Sequence, residues 1–113
     1  MKKLEIIIRP EKLDALKELL MDNEVKGMNI SNVMGFGSQL GYTEQYRGTK
    51  FNVNFVSKMK VEVVLPTEKA QKIIEEIKAK LRTGQVGDGK IFVYAVEKTI
   101  RIRTGEEDEA ALG

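Results

Sequence analysis

The chain has 113 residues, 42% of them hydrophobic and none of them Trp, which is the size of one domain built on an aliphatic core. It holds no Cys and no His; disulfides, thiol and imidazole catalysis and the commonest zinc sites are excluded, and a metal must be a hard cation on oxygen ligands, such as Mg²⁺ on a bound phosphate. A net charge of +2, with no basic run interleaved with aromatics, makes no case for nucleic acid.

Lys2 to Arg9 carries Leu4, Ile6, Ile7 and Ile8, a β-branched run that reads as a strand. Pro10 suits the first turn of a helix, and Leu13, Leu16, Leu19 and Leu20 follow at helical spacing. Asp22-Asn23 ends that helix, Gly27 marks a turn, and Met28 to Gly35 reads as a second strand. Phe55 to Leu65 is a third, with Met59, Val61, Val63 and Leu65 alternating with Lys58, Lys60, Glu62 and Val64. Pro66-Thr67 opens a second helix with Thr67 as its N-cap. Ile73, Ile74, Ile77 and Leu81 form its apolar stripe, and Glu76 and Lys80 can pair on the outside. Lys90 to Val96 is the fourth strand. The order β-α-β-β-α-β is that of a ferredoxin-like α+β fold, with both helices on one face of a four-stranded antiparallel sheet. The last strand, Ile91-Phe92-Val93-Tyr94-Ala95-Val96, is apolar on both faces, so a second subunit is expected to cover the side the helices leave open. No apolar run at the N-terminus is long enough for a signal peptide or a membrane span, and the expected location is cytoplasmic.

Two connections stand out. From Phe36 to about Asn54 the chain is several times longer than an ordinary hairpin loop of about 2–5 residues, and it carries Gly, Tyr and Arg instead of a packed apolar pattern. It is either a functional loop on a rigid scaffold or a hairpin into which the flanking strands extend. The second connection, Thr83-Gly84-Gln85-Val86-Gly87-Asp88-Gly89-Lys90-Ile91-Phe92, has glycines that let the backbone turn sharply and approach a ligand. Its free N–H groups can form an anion nest, with Lys90 at the rim. It reads equally as a helix stop at Gly84 and a tight turn at Asp88-Gly89. Near the C-terminus Arg101 and Arg103 stand before an acidic run, Glu106-Glu107-Asp108-Glu109; they are anion ligands, a solvated face, or partners of that run.

Taken together, Tyr46-Arg47-Gly48 in the long loop and the Thr83–Phe92 glycine segment resemble the two diagnostic motifs of the PII nitrogen-regulatory signal proteins. Gly35-Phe36-Gly37-Ser38-Gln39, Lys58 and Ile100-Arg101-Ile102-Arg103-Thr104-Gly105-Glu106-Glu107 continue the resemblance over nearly the whole chain. It implies one PII-like domain over 1–113, a target-docking T-loop at 37–55, a nucleotide-binding turn at 82–90 and a C-terminal segment at 102–113. It also implies a homotrimer with nucleotide sites between subunits, in a sensor that is not an enzyme. The sensor binds ATP or ADP, and binds 2-oxoglutarate alongside Mg²⁺-ATP. By the resemblance, Gly87, Asp88, Gly89 and Lys90 embrace the polyphosphate, and Arg101 and Arg103, alternating on an extended stretch, reach it from the neighbour. Ile7, Gly35 and Val64 frame the base and ribose, with Asn29, Gly37 and Glu62 nearby. Gln39 supplies an oxygen to the Mg²⁺ shared by ATP and 2-oxoglutarate. Lys58 holds a 2-oxoglutarate carboxylate, with main-chain N–H groups from Gly37 to Gly41 and from Gly87. Tyr46 and Arg47 meet the target, which the resemblance puts among ammonium transporters of the Amt type and nitrogen-assimilation enzymes or regulators, with no direct nucleic-acid contact.

Phe51 departs from the pattern, because many members carry a nucleotidylated tyrosine there and phenylalanine has no hydroxyl to modify. Thr49 matches a position phosphorylated as serine in some relatives. Asn29 replaces an adenine-contacting threonine. Leu40 replaces a common lysine, which leaves a nucleotide sensor without a 2-oxoglutarate response as the alternative. A small nucleotide hydrolase has no nucleophile–base pair to stand on. An RNA-binding module has Phe92 and Tyr94 but few adjacent basic residues.

Overall fold

In the computed structural model, the described residues are 1–38, 45–46, 49–50 and 53–113, with side chains described for 1–36 and 55–113. The elements in chain order are β1 (Lys2–Ile8), a 3₁₀ turn at Pro10–Lys12, α1 (Leu13–Asp22), β2 (Asn29–Ser38), β3 (Gln45–Tyr46), β4 (Thr49–Lys50), β5 (Val53–Leu65), α2 (Thr67–Lys80), β6 (Lys90–Ala95) and a 3₁₀ turn at Asp108–Ala111. The main sheet has the order β2-β5-β1-β6 with every neighbouring pair antiparallel. This is the ferredoxin-like arrangement: the two βαβ halves interleave, so the first and third long strands end side by side at the centre.

Strand alternation sorts the side chains. Leu4, Ile6 and Ile8 of β1 and Val61, Val63 and Leu65 of β5 point to one face and are buried. They meet Leu16, Leu19 and Leu20 of α1 and Ala70, Ile73 and Ile77 of α2 in one cluster. These are the apolar positions at helical spacing, so periodicity decides both the element and the face it buries. The opposite face is open. Cross-strand register places on it Lys3, Glu5 and Ile7 of β1, Lys58, Lys60, Glu62 and Val64 of β5, Asn29 and Gly35 of β2, and Lys90, Phe92 and Tyr94 of β6.

Several boundaries differ from the sequence reading. β2 runs to Ser38, past Gly35, and β5 starts at Val53, before Phe55; the two stay paired out to Ser38 opposite Val53. The extra pairs include Phe36 opposite Phe55, whose rings lie 5.8 Å apart in a tilted contact, a stabilising cross-strand geometry. The flanking strands therefore extend into the long connection, as in the hairpin reading, and a two-residue ladder pairs Gln45 with Lys50 and Tyr46 with Thr49. Thr67 is the first helical residue of α2 and not its N-cap; Pro66 takes that place with ψ 147°, and the pyrrolidine ring fixes the entry angle without a side-chain cap. Lys80 and Glu76 do pair, at 3.4 Å.

β6 is an edge strand. Phe92, Val93 and Tyr94 remain 45%, 52% and 45% exposed in the single chain, so the burial on both faces expected of this strand is not supplied within one chain. No helix among the described residues is long and apolar enough to cross a membrane.

Candidate functional site

At one end of the open face lies a cleft of about 750 Å³. Ile7, Gly35, Lys58 and Lys90 enter it from four strands, and Gly87 and Gly89 of the turn between α2 and β6 close it. Six of the residues expected to hold a ligand thus come together from widely separated parts of the chain. Arg9, Phe36 and Phe92 line the same cleft; the sequence reading gives no ligand role to Arg9, and points to Phe36 and Phe92 only as parts of the motifs and, for Phe92, as a stacking residue. Arg9 carried a legible signal, a cation immediately before Pro10 at the end of a strand.

The turn is shaped by contacts that glycine alone permits at two positions. A Cβ on Gly89, at φ +101°, would stand 1.8 Å from the Ile7 carbonyl oxygen. A Cβ on Gly87, at φ +99°, would stand 2.7 Å from Nη2 of Arg9. Lys58 Nζ donates to the Gly87 carbonyl at 2.8 Å, and Arg9 Nη2 donates to the Val86 carbonyl. Inside the turn, Asp88 Oδ2 accepts the main-chain N–H groups of Thr83 and Gly84, both at 2.9 Å, and Oδ1 accepts the Thr83 hydroxyl. The hydrogen bonds from Thr83, side chain first and then backbone, hold the Asp88 carboxyl below its usual range. Three cations, Arg9, Lys58 and Lys90, converge on one cleft beside a turn with left-handed glycines. Such a cleft attracts an anion with several charged oxygens.

A second cluster lies further along the open face. Asn29, Glu62 and Val64 line a smaller pocket with Lys3, and Asn29 pairs directly with Glu62 across β2 and β5. Glu62 is four residues from Lys58 on the same strand, about 13 Å at a strand's rise. The residues expected around one nucleotide are therefore split into two groups within the chain. Glu5 and Glu62 are directly opposite on β1 and β5, an unfavourable like-charge pair. Lys3 offsets it by an ion pair to Glu62 at 2.8 Å, while its ammonium sits 5.0 Å over the Tyr94 ring.

The hydrogen bond from Lys3 holds the Glu62 carboxyl below its usual range, and the same bond raises Lys3. A depressed carboxyl adds stability above its usual pKa, and that stability is lost as pH falls through the depressed value. A raised ammonium adds stability below its usual pKa, lost as pH rises through the raised value. The pair is therefore expected to support the fold across neutral pH and to release it at both extremes. Glu62→Gln should flatten both limbs of a plot of urea midpoint against pH; the effect is modest because both groups are partly solvated. Unchanged limbs would show that the pair is energetically silent.

Arg101 and Arg103 differ from expectation. The chain turns at 102–104, closed by Gly105 N–H on the Arg101 carbonyl at 2.7 Å and Arg101 N–H on the Glu106 carbonyl at 2.9 Å. The two arginines do not alternate along an extended stretch. Arg101 pairs with Glu106 at 2.8 Å and donates to the Gly113 carbonyl, while Arg103 is exposed. Neither lines the cleft of its own chain. The physical reason is local: Thr104-Gly105 supplies a turn, with Gly105 at φ +75° and the Thr104 hydroxyl on Glu106 at 2.8 Å. Gln39, Leu40, Gly41, Arg47 and Phe51 lie outside the described residues. Gly37, Tyr46 and Thr49 are described only as strand backbone. No cluster of three or more acidic groups that could hold a metal is present among the described residues.

A four-stranded antiparallel sheet with two helices on one face, and a glycine turn set among cations at a cleft, defines a ferredoxin-like domain with a cation-lined cleft. The family model described as nitrogen regulatory protein P-II matches residues 1–106. The nitrogen regulatory protein P-II of Haemophilus influenzae is 54% identical over 112 residues, covering 99% of this chain and 100% of that protein. Nitrogen regulatory protein P-II of Nostoc punctiforme is 49% identical, and nitrogen regulatory protein P-II 1 of Escherichia coli 47%, each with the same coverage. The chain belongs to the nitrogen regulatory protein P-II family. The family's proteins are regulators and not enzymes, and their role is signal transduction in nitrogen regulation through interaction with target proteins.

Proposed function

We propose that this chain is a cytoplasmic sensor of nitrogen, carbon and energy status that binds ATP or ADP and, with Mg²⁺-ATP, 2-oxoglutarate. The observation that carries this reading is the convergence of Arg9, Lys58 and Lys90 on the glycine turn at Gly87–Gly89. That arrangement suits a polyphosphate and a carboxylate side by side. The cations neutralise both anions, and the main-chain N–H groups of the turn give directional donors. Gln39 would offer an oxygen to a Mg²⁺ bound with ATP and 2-oxoglutarate, and the ion would supply the positive charge that lets two anions bind side by side.

The split of candidate residues into two groups about 13 Å apart favours a site completed by a second copy. One subunit supplies Ile7, Gly35, Lys58, Gly87, Asp88, Gly89 and Lys90. Its neighbour supplies Asn29, Glu62 and Val64, with Arg103, or with Arg101 after release from Glu106. A homotrimer satisfies this arrangement and covers Phe92 and Tyr94. The β2–β5 ribbon leads directly from the cleft into the 37–55 loop, so ligands at Gln39 and Lys58 select among loop conformations. The loop, with Tyr46 and Arg47, then docks on a target: an ammonium transporter of the Amt type, or a nitrogen-assimilation enzyme or regulator. Phe51 has no hydroxyl and rules out nucleotidylation there. Thr49 remains a candidate for phosphorylation.

The test is calorimetric titration with 2-oxoglutarate in the presence and absence of Mg²⁺-ATP. Binding only with Mg²⁺-ATP is the expected result. Nucleotide binding with no 2-oxoglutarate response would favour the alternative, an ATP/ADP sensor, with Leu40 as the first suspect. Binding of neither would overturn both.

A further inference from the structure

The glycine turn already contains an anion of its own. Asp88 Oδ2 takes the N–H groups of Thr83 and Gly84, and Oδ1 takes the Thr83 hydroxyl. The Thr83 hydroxyl oxygen in turn accepts the Gln85 N–H at 3.2 Å. Three successive amides at the start of the turn are therefore occupied before any ligand arrives. The end of the turn is tied from outside, by Arg9 on the Val86 carbonyl and Lys58 on the Gly87 carbonyl. Arg9 Nη1 also stands 4.0 Å from Asp88 Oδ1, so one guanidinium faces both halves. No apolar packing shares this task at the tip, because Val86 is 99% exposed. The polar ties act together with the left-handed glycines Gly84, Gly87 and Gly89 to set the shape.

We infer that Asp88 and Arg9 are positioning residues of the anion-binding turn. Asp88 fills the first half of the turn as an internal anion, and Arg9 fixes the second half through the Val86 carbonyl. The Asp88 N–H closes the turn on the Gln85 carbonyl at 3.3 Å, so an external polyphosphate meets the main-chain N–H groups of Gly87 and Gly89 on a turn already fixed in shape. The Asp88 carboxylate, repelled by phosphate if it pointed outward, is neutralised by the Thr83 and Gly84 donors and by Arg9. The inference rests on the nucleotide reading above for its ligand, but its geometric part stands without one. Fixing donors before binding avoids the ordering cost that a loose loop would impose at the moment of association.

Two measurements on the full chain test it. The first needs no ligand: amide hydrogen exchange at Thr83 and Gly84. These amides are expected to be protected in the parent protein and to exchange at least about tenfold faster in Asp88→Asn, where the charged acceptor is gone. The second is ATP titration, with Mg²⁺ and with a chelator. Asp88→Asn and Thr83→Val should each weaken ATP by about tenfold, by the same factor in both conditions, while Thr83→Ser restores parent affinity. Arg9→Gln should weaken ATP while leaving the Thr83 and Gly84 amides protected. A loss confined to the Mg²⁺ condition would make Asp88 a metal-linked ligand and overturn the inference. So would equal amide exchange in parent and Asp88→Asn. If the parent binds no ATP at all, the nucleotide reading fails, and the exchange rates still decide the positioning role.

Discussion

Replacing Gly89 by alanine is expected to destabilise the chain by about 3–5 kcal/mol, and to remove ligand binding in whatever protein remains folded. Two costs add. The residue sits at φ +101°, where an L side chain carries strain of about 1–3 kcal/mol. The added Cβ would also stand 1.8 Å from the Ile7 carbonyl oxygen and 2.9 Å from its carbon. That obstacle is main chain, and Ile7 is held on both sides, opposite Lys60 of β5 and Lys90 of β6. Neither neighbour can step aside without opening the ladder that buries Ile6 and Ile8. Against a total stability of about 5–15 kcal/mol for an ordinary domain, the loss is a large share. Gly35→Ala is the control: its Cβ would meet only Lys58 Cγ and the Val56 carbonyl oxygen at 3.8 Å, an ordinary contact, so unfolding should shift by less than about 1 kcal/mol. Urea unfolding of the two variants checks both. Equal midpoints would mean that β1 and β6 separate more easily than their ladder indicates.

The same pair of glycines shows what the sequence makes legible. The glycine segment announces a sharp turn, and strand alternation announces that Ile7, Lys58, Glu62, Val64 and Lys90 share faces within their own strands. Those are local signals, and they survive folding because a strand cannot change its period. Which strands lie side by side follows from the β-α-β-β-α-β order. Contacts between distant segments are different in kind. Arg9 bonds to a carbonyl 77 residues away, and nothing in Ile8-Arg9-Pro10 encodes that. The role of Asp88 was half legible: a charged residue between two glycines suggests a ligand group, whereas its spacing of five from Thr83 lets the carboxylate fold back and cap its own turn. The full length of β2 and β5 is hidden in the sequence because Gly35, Gly37, Ser38 and Asn54 are poor strand formers, and the pairing of Phe36 with Phe55 overrides them. The alternation of Ile and Arg at 100–103 looks like a strand, whereas Thr104-Gly105 and the acid that follows bend the chain, so Arg101 and Arg103 do not form an extended pair. The site is divided in the single chain for a physical reason as well. Residues on the open face cannot close over a ligand without a second surface, and sequence periodicity does not show where such a surface comes from.

Lys58→Met is expected to reduce 2-oxoglutarate affinity in the presence of Mg²⁺-ATP by about 10–100-fold, and to leave the affinity for ATP alone within about threefold. The side chain comes from the open face of β5, is partly buried, and spends one hydrogen bond on the Gly87 carbonyl. Its ammonium is thus held at the meeting point of the sheet and the glycine turn. A carboxylate placed there gains a charge-assisted hydrogen bond of about 1.5–3 kcal/mol, and each 1.4 kcal/mol is tenfold in affinity. Methionine keeps an unbranched apolar stem and removes only the charge and the donor. In the nucleotide reading the polyphosphate also has Lys90 and Arg9, and Arg9 keeps its tie to the Val86 carbonyl in this variant, so the loss for ATP should be the smaller one. By reciprocity, if 2-oxoglutarate no longer tightens on ATP, ATP no longer tightens on 2-oxoglutarate, and the coupling should vanish from both titrations together. Lys60→Met separates a contact from the general field of the face. Lys60 is two residues along the same strand on the same side, opposite Ile7, and does not line the cleft. It should leave both affinities near the parent values. Equal losses in the two variants would mean that the positive potential of the open face, and not an ammonium held against Gly87, attracts the dicarboxylate.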